Sequence, residues 1–175
     1  VAVDSLSRIW HPSLASETRQ WLVDHLSGGK VEEGSLNLLL EQNSSKQMQL
    51  KSLESVLQVK DSNIQFYKNL PPGNEVDAIV KIIPDQVEIK LSRGRVGQLQ
   101  LNHGKLLFAP LRTGSPRASM YFKSSGPLAE ALDLLEHPDL AILKQEMLPF
   151  TESYGDVDLD LGMVFPLGNK IDEGF

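Results

Sequence analysis

The chain of 175 residues contains no cysteine. This absence excludes disulfide bonds, thiolate zinc sites, thiol catalysis and thiol-based redox switching. The sequence also lacks an uninterrupted apolar run of the roughly 18 residues that a membrane-spanning helix needs. No charged segment followed by a short apolar one marks a signal peptide. The chain begins at Val1 without an initiator methionine, from which we expect an excised or processed piece of a longer protein.

Positive charge is also scarce. Lysine and arginine number 17 against 23 acidic residues, which gives a net charge of -6. Binding to nucleic acid requires clustered basic side chains, whereas those of this chain are scattered, so we expect no nucleic-acid partner. The remaining composition is that of a globular protein, with 41% hydrophobic and 23% charged residues. A chain of this kind is expected to fold.

Motifs for catalysis and for metal binding are missing. There is no G-x-S-x-G nucleophile elbow and no phosphate-binding glycine loop, because the two glycines of residues 94–97 have the wrong spacing. The four histidines never stand three or four residues apart, which argues against a local metal site. The alternating aspartates of residues 156–160 resemble the start of a calcium loop, but leucines occupy its sixth and twelfth positions. We therefore expect no catalytic residue, no metal and no cofactor.

Two segments carry apolar residues at helical spacing. In residues 12–26 these positions form one side of about four helical turns, with a proline at the start and two glycines after the end. This pattern predicts a helix over residues 13–26. A second apolar side with spacing i, i+3, i+4 and i+7 lies in residues 127–136 and is ended by Pro138. It predicts a second helix with an acidic opposite face.

Between these segments the apolar positions change to a period of two, which is typical of strands with one buried face. Clusters of polar, glycine or proline residues divide the region, and we expect a turn or a strand end at each. These clusters are residues 42–46, 61–63, 71–74, 84–85 and 102–104, with a further interruption at Gly94. In the last strand, residues 157–165, the odd positions are apolar and Asp158 and Asp160 lie opposite.

These patterns predict a β-rich α+β fold. We expect about eight strands in a mostly antiparallel, curved sheet, either a β-groove or sandwich-like, with the two amphipathic helices packed on it. Two short helices are too few to cover all the apolar strand faces. Either a second sheet packs face to face on the first, or a concave apolar face holds a hydrophobic ligand. The candidate lining residues of such a groove are Val76, Ala78, Val80, Ile82, Val87, Ile89, Leu91, Leu99, Leu101, Met120, Phe122, Leu159, Leu161, Met163 and Phe165.

Several short motifs follow one another in the order found in a known family. They are Trp10-His11-Pro12, Arg19-x-Trp21-Leu22, Gly28-Gly29-x-Val31, Leu70-Pro71-Pro72, the segment from Gly94 to Gly104, the helix that starts at Gly126-Pro127-Leu128, and the closing strand from Gly155 to Pro166-Leu167. In this order they resemble the AsmA-like envelope proteins. The similarity covers nearly the whole chain and is greatest to the central domain of the large YhdP- and TamB-type members, which are bridge-like lipid transfer proteins.

The resemblance implies a non-catalytic segment of a periplasmic protein that is anchored to the inner membrane by a segment outside this chain. Its apolar β-groove would bind phospholipid or another acyl lipid and conduct it between the inner and outer membranes. The domain would cover residues 1–175, with a helical entry (1–30), strands (31–125), a helix (126–137) and a connection with the closing strand (138–175).

The alternative is a structural or interaction module, a spacer or scaffold of a cell-envelope protein, whose apolar faces pack on one another. The expected partners are neighbouring modules of the full-length chain. Unpaired strand edges also predict self-association, with residues 157–165 as the first candidate edge.

Overall fold

The computed structural model describes residues 2–5, 16–65, 69–111, 117–138, 140 and 154–166. Apart from one short 3-10 turn, these residues form two α-helices and eight β-strands. The helices are α1 (Ser16–His25) and α2 (Leu128–Glu136). The strands are β1 (Leu26–Ser27), β2 (Lys30–Gln42), β3 (Met48–Ile64), β4 (Gly73–Ile83), β5 (Gln86–Val96), β6 (Leu99–Ala109), β7 (Arg117–Pro127) and β8 (Asp156–Pro166).

All eight strands belong to one antiparallel sheet. From β3 to β8 each strand pairs with the next along the chain, while β1 and β2 pair with different parts of β3. The sheet curls into a half-barrel, as expected from the right-handed twist of strands. The predicted β-rich α+β fold with a curved antiparallel sheet is therefore confirmed. The described strands do not form the second sheet that a sandwich would require.

Several predicted turns lie inside strands, and here the sequence interpretation is wrong. β3 continues through residues 61–63, where irregular pairing with β4 absorbs the turn-forming residues and Asp61 takes a φ of 53°. β5 continues through Gly94 and β6 through residues 102–104. At Gly104 an added Cβ would lie 2.9 Å from Cδ1 of Phe122, so this glycine admits close packing between strands rather than a turn.

The predicted helices are present with changed ends. α1 ends at His25, and Leu26 belongs to β1, since the His25 carbonyl accepts a hydrogen bond of 2.8 Å from the Gln65 N–H at the end of β3. Residues 13–15 of the predicted helix lie outside the described residues. α2 begins at Leu128, one residue later than predicted, because Pro127 is still paired with Asp156 in the sheet.

The two faces of the sheet differ in chemistry. The inner face, which carries the even positions of β4 and the odd positions of β8, holds a buried apolar core centred on residues such as Val87, Leu106 and Phe108. The outer face carries ion pairs between strands, including Lys81–Glu54 at 2.7 Å and Lys105–Glu88 at 2.6 Å. The hydrogen bond from Lys105 holds the pKa of Glu88 below its usual value against the opposing effect of burial. The period-two pattern therefore sorts apolar and charged residues correctly.

One acidic side chain of the sheet is buried. Asp77 of β4 is 7% exposed and lies where the pairing of β4 and β5 is irregular. Its carboxylate accepts hydrogen bonds from Lys60 Nζ at 3.0 Å, from Arg93 Nε at 3.1 Å and from the Asp61 N–H at 3.2 Å. Burial alone would raise the pKa of Asp77, but these donors outweigh it and the pKa is lowered.

Because the pKa of Asp77 is lowered on folding, its ionised form stabilises the fold above the ordinary carboxyl pKa of about 3.9, and this stabilisation is lost as the pH falls. We expect Asp77→Asn to lower the free energy of unfolding at pH 7 by about 1–3 kcal/mol. The variant should also lose less stability than the native chain on acidification below about pH 5. Urea unfolding at several pH values measures both effects.

Asp61→Asn is the control, since the exposed Asp61–Arg93 pair should contribute less than about 1 kcal/mol. Equal pH dependence in native and Asp77→Asn protein would contradict this assignment.

Candidate functional site

An open apolar cleft with a cavity volume of about 40 Å³ lies on the inner face of the half-barrel. It is bounded by β6, β7 and β8, by the end of β5, by α2 and by the segment that precedes β4. Its lining residues are Leu70, Pro71, Val96, Leu99, Leu101, Phe122, Ser124, Leu134, Leu159, Leu161 and Met163. This volume is well below the roughly 300–1,000 Å³ of ordinary ligand pockets, so a ligand would lie along an open apolar surface rather than inside an enclosed pocket.

The paired strands β7 and β8 form one wall of the cleft. Phe122 is opposite Leu161 and Ser124 is opposite Leu159, so all four side chains point to the inner face. Along β8 the odd positions from Val157 to Met163 are half-buried, whereas the aspartates between them are exposed. The predicted alternation of this strand is confirmed.

Helix α2 forms a further wall and is fixed at its first turn. The Leu128 N–H donates to the Gly155 carbonyl at 2.9 Å, and the Gln98 N–H donates to Oε1 of Glu130 at 3.2 Å. Gly97 in the turn between β5 and β6 has a φ of 55°, and an added Cβ there would collide with the Glu130 carboxylate. The positive φ favours glycine in this turn, and the hydrogen bond of Gln98 to Glu130 fixes α2 beside it. Leu134, one helical turn after Glu130, lines the cleft.

Hydrocarbon surface dominates the cleft. Ser124 is the one lining residue with a polar side chain, and its hydroxyl donates a long hydrogen bond of 3.5 Å to the Leu159 carbonyl. None of the lining residues is titratable. Such a surface can exclude water from an acyl chain, but its side chains offer no general acid, general base or charged anchor for a lipid headgroup.

The structure brings together six of the fifteen predicted lining residues. Leu99, Leu101, Phe122, Leu159, Leu161 and Met163 line the cleft. The first three are themselves buried, while the three residues of β8 are half-buried. Eight others, Val76, Ala78, Val80, Val87, Ile89, Leu91, Met120 and Phe165, are buried in the core, and Ile82 packs against that core. The central inner face is covered in part by Leu22 of α1 and by Val3, so its side chains fill the interior of the protein.

Sequence analysis missed five residues of the cleft, namely Leu70, Pro71, Val96, Ser124 and Leu134. The apolar pattern of residues 127–136 predicted that α2 packs on the sheet, but it does not indicate which leucine reaches the cleft. Pro71 belongs to the predicted chain break of residues 71–74 and Leu70 precedes it, and nothing local to that segment points to the inner face.

Within the described part of the chain, no three His, Cys, Asp or Glu side chains are arranged to hold a metal ion. Neither described helix has the length and hydropathy of a membrane span. The resemblance to AsmA-like proteins stays a prediction. Comparisons of the chain with protein-family models, with curated proteins and with solved structures gave no significant match.

Proposed function

We propose that this chain binds the acyl chain of a lipid in the apolar cleft and acts as a non-catalytic groove segment of an envelope lipid-transfer protein. The observation that carries the proposal is the cleft itself, which is open to solvent and lined almost entirely by hydrocarbon. Transfer of each methylene group from water to such a surface contributes about 0.8 kcal/mol. Methylene groups that lie against this surface therefore contribute to binding without any contact to the headgroup.

The position of the cleft supports a path for lipid rather than a closed pocket. β8 forms one wall, and among the described residues it has a strand neighbour only on its β7 side. A strand of a neighbouring module could pair with the outer edge of β8 and lengthen the same apolar wall. In this proposal the chain is periplasmic, is anchored by a segment outside it, and passes phospholipid between the two membranes together with neighbouring modules.

The alternative function is that of a spacer or scaffold. The observation that favours it is that the centre of the inner face is filled. Val87, Leu106 and Phe108 are fully buried there and leave no space for a ligand. In that case the cleft at the end of the sheet would be a packing surface for another module. The two functions differ in whether lipid remains bound to the purified chain.

Lipid binding is tested with two variants of the same strand. Leu161 lines the cleft, while Val164 lies three residues further along β8 and is exposed on the outer face. We expect mass spectrometry of organic extracts to detect phospholipid in native and Val164→Gln protein. Leu161→Gln should retain about tenfold less, because a polar amide replaces apolar surface in the cleft. Circular dichroism on heating controls for loss of the fold.

Native protein that is free of lipid after repeated preparation, and that does not take up phospholipid from vesicles, would contradict the groove function and favour the scaffold. Equal lipid content in Leu161→Gln and Val164→Gln would place lipid binding outside the cleft. Because the lining residues include no charged side chain, we also expect little discrimination between zwitterionic and anionic phospholipids.

A further inference from the structure

A hairpin arm extends beyond the rest of the sheet. β3 pairs with β4 only from Ser55 to Ile64, whereas the first part of β3 pairs with β2 alone. We call residues 36–54 the arm. Its tip is a polar turn, in which the Asn43 side chain accepts hydrogen bonds from the N–H groups of Ser45 and Gln47 at 3.0 and 2.9 Å. The arm is thus a two-stranded ribbon. Within it β2 and β3 pair with each other, and among the described residues neither strand has a second strand neighbour there.

The arm carries the largest group of exposed apolar side chains. Half of the ten exposed large hydrophobic residues of the described chain lie on it. On the inner-face side, Leu36, Leu38 and Leu40 are 61%, 51% and 50% exposed, and the neighbouring Met48 is 62% exposed. Leu39 projects from the other side and is 58% exposed. Such a group on one ribbon, rather than scattered over the surface, marks an interaction site.

The same strand has an unpaired backbone edge. Among the described residues, β2 pairs with β3 on one side, and its other side makes a single bridge at the start, between Lys30 and Ala2. From Glu33 to Gln42 the outward N–H and C=O groups have no strand partner in the described chain. A partner for the arm should therefore supply both apolar side chains and a strand edge.

We propose that this partner is a second copy of the chain, whose β2 pairs antiparallel with the first β2 about a twofold axis at Leu38. In this register Leu38 faces Leu38 of the second copy, and Leu36 faces Leu40. All three leucines on the inner-face side then meet leucines, and the backbone edge of β2 is paired. The inference is independent of the proposed lipid function.

Charge and leucine pairing on the inner-face side favour this register over its two neighbours. A shift by two residues in one direction would place Glu33 opposite Glu41 on the outer face, and like charges directly opposite destabilise a strand pair. A shift in the other direction would place Leu36 opposite Gln42 and leave two leucine pairs on the inner-face side instead of three, with Leu39 opposite Leu39 on the outer face. In the proposed register Glu41 faces Ser35, and no two charged residues are opposite between Gly34 and Gln42.

The opposite edge, β8, is less suited to a second copy. Its inner-face side chains from Val157 to Met163 are already half-buried at the cleft wall, and its outer face carries Asp156, Asp158 and Asp160. An antiparallel pair of two β8 strands would bring the aspartates of one copy close to those of the other, and like charges destabilise such a pair. The arrangement therefore favours self-association through β2 rather than through residues 157–165.

A membrane surface is also a poorer occupant of the arm. The end of the arm is a polar tip, residues 42–47, and the exposed apolar side chains lie on the strands next to it. Insertion of the arm into a bilayer with the tip first would therefore bury polar groups. The charged side chains of the arm, Glu41, Lys46, Lys51 and Glu54, balance to zero, so the arm has no net attraction to anionic lipid headgroups. A bilayer would in addition leave the N–H and C=O groups of the β2 edge without partners.

The proposal is tested by opposite charges at the twofold axis. Leu38→Lys and Leu38→Glu each place two like charges against each other, so analytical ultracentrifugation should show each variant monomeric where the native chain is dimeric. The dissociation constant should rise by about 100-fold or more, because two leucines also leave the interface. An equimolar mixture of the two variants should restore the dimer. Val164→Lys, which is equally exposed on the β8 edge, is the control and should leave the dimer unchanged.

Several outcomes would overturn the proposal. They are a native chain that stays monomeric at high concentration, a dimer that survives both Leu38 variants, and a mixture of the variants that fails to associate although each is folded by circular dichroism. Flotation of a monomeric native chain with phosphatidylcholine vesicles, lost in Leu38→Lys, would instead assign the arm to a membrane surface.

Discussion

Replacing Gly29 with alanine is expected to lower the free energy of unfolding by about 4 kcal/mol. Gly29 has a φ of 70°, and an added Cβ would lie 2.7 Å from the backbone nitrogen and 2.8 Å from the Cα of Ser62. Both atoms belong to β3, which is held by pairing on both sides, so the strand cannot move away without loss of sheet hydrogen bonds. The positive φ adds a cost of roughly 1–2 kcal/mol for any residue with a Cβ.

Gly28 is a matched control for this effect. Its φ of 62° is similar, but an added Cβ would meet only the side-chain nitrogen of Asn63, at 3.3 Å. Gly28→Ala should therefore cost about 1–2 kcal/mol from the backbone conformation alone. Urea unfolding followed by circular dichroism measures both variants. If Gly28→Ala and Gly29→Ala were equally destabilised, the close approach of Gly29 to β3 would be wrong.

Replacing Phe108 with alanine is expected to cost about 3–5 kcal/mol. Phe108 of β6 is fully buried, and its neighbours across the sheet are Val87 of β5 and Ala118 of β7. Removal of the ring leaves a cavity that small neighbours on paired strands cannot fill. Since typical domains are stable by only 5–15 kcal/mol, the variant should unfold at a much lower urea concentration.

Leu107→Ala is the control for the Phe108 variant. Leu107 lies on the outer face of the same strand and is only partly buried, so we expect a cost below about 1.5 kcal/mol. A small effect of Phe108→Ala would show that this part of the inner face is open rather than filled. That result would also make the buried lining candidates outside the cleft available to a ligand, which would enlarge the proposed groove.

The sequence predicted that the candidate site is apolar, but it identified only some of the residues that line it. The period-two pattern identified the apolar side of each strand correctly, as the buried Val87 and Leu106 and the half-buried Leu161 show. It could not distinguish a side chain that faces the cleft from one that faces the core, because both are apolar and lie on the same side of the sheet. That difference depends on where α2 and the segment at Leu70 cover the inner face.

The sequence by itself determined the two faces of the sheet and the helix of residues 128–136, because alternation along a strand and the apolar stripe of a helix follow from local backbone geometry. Only the tertiary structure decided that Asp61, Gly94 and Gly104 lie inside strands. Their local preference for turns is overcome by pairing with strands that are distant in sequence, such as that of Gly104 with Leu91 and Phe122. The curl of the sheet, the position of the cleft and the uncovered arm likewise result from contacts that no local pattern contains.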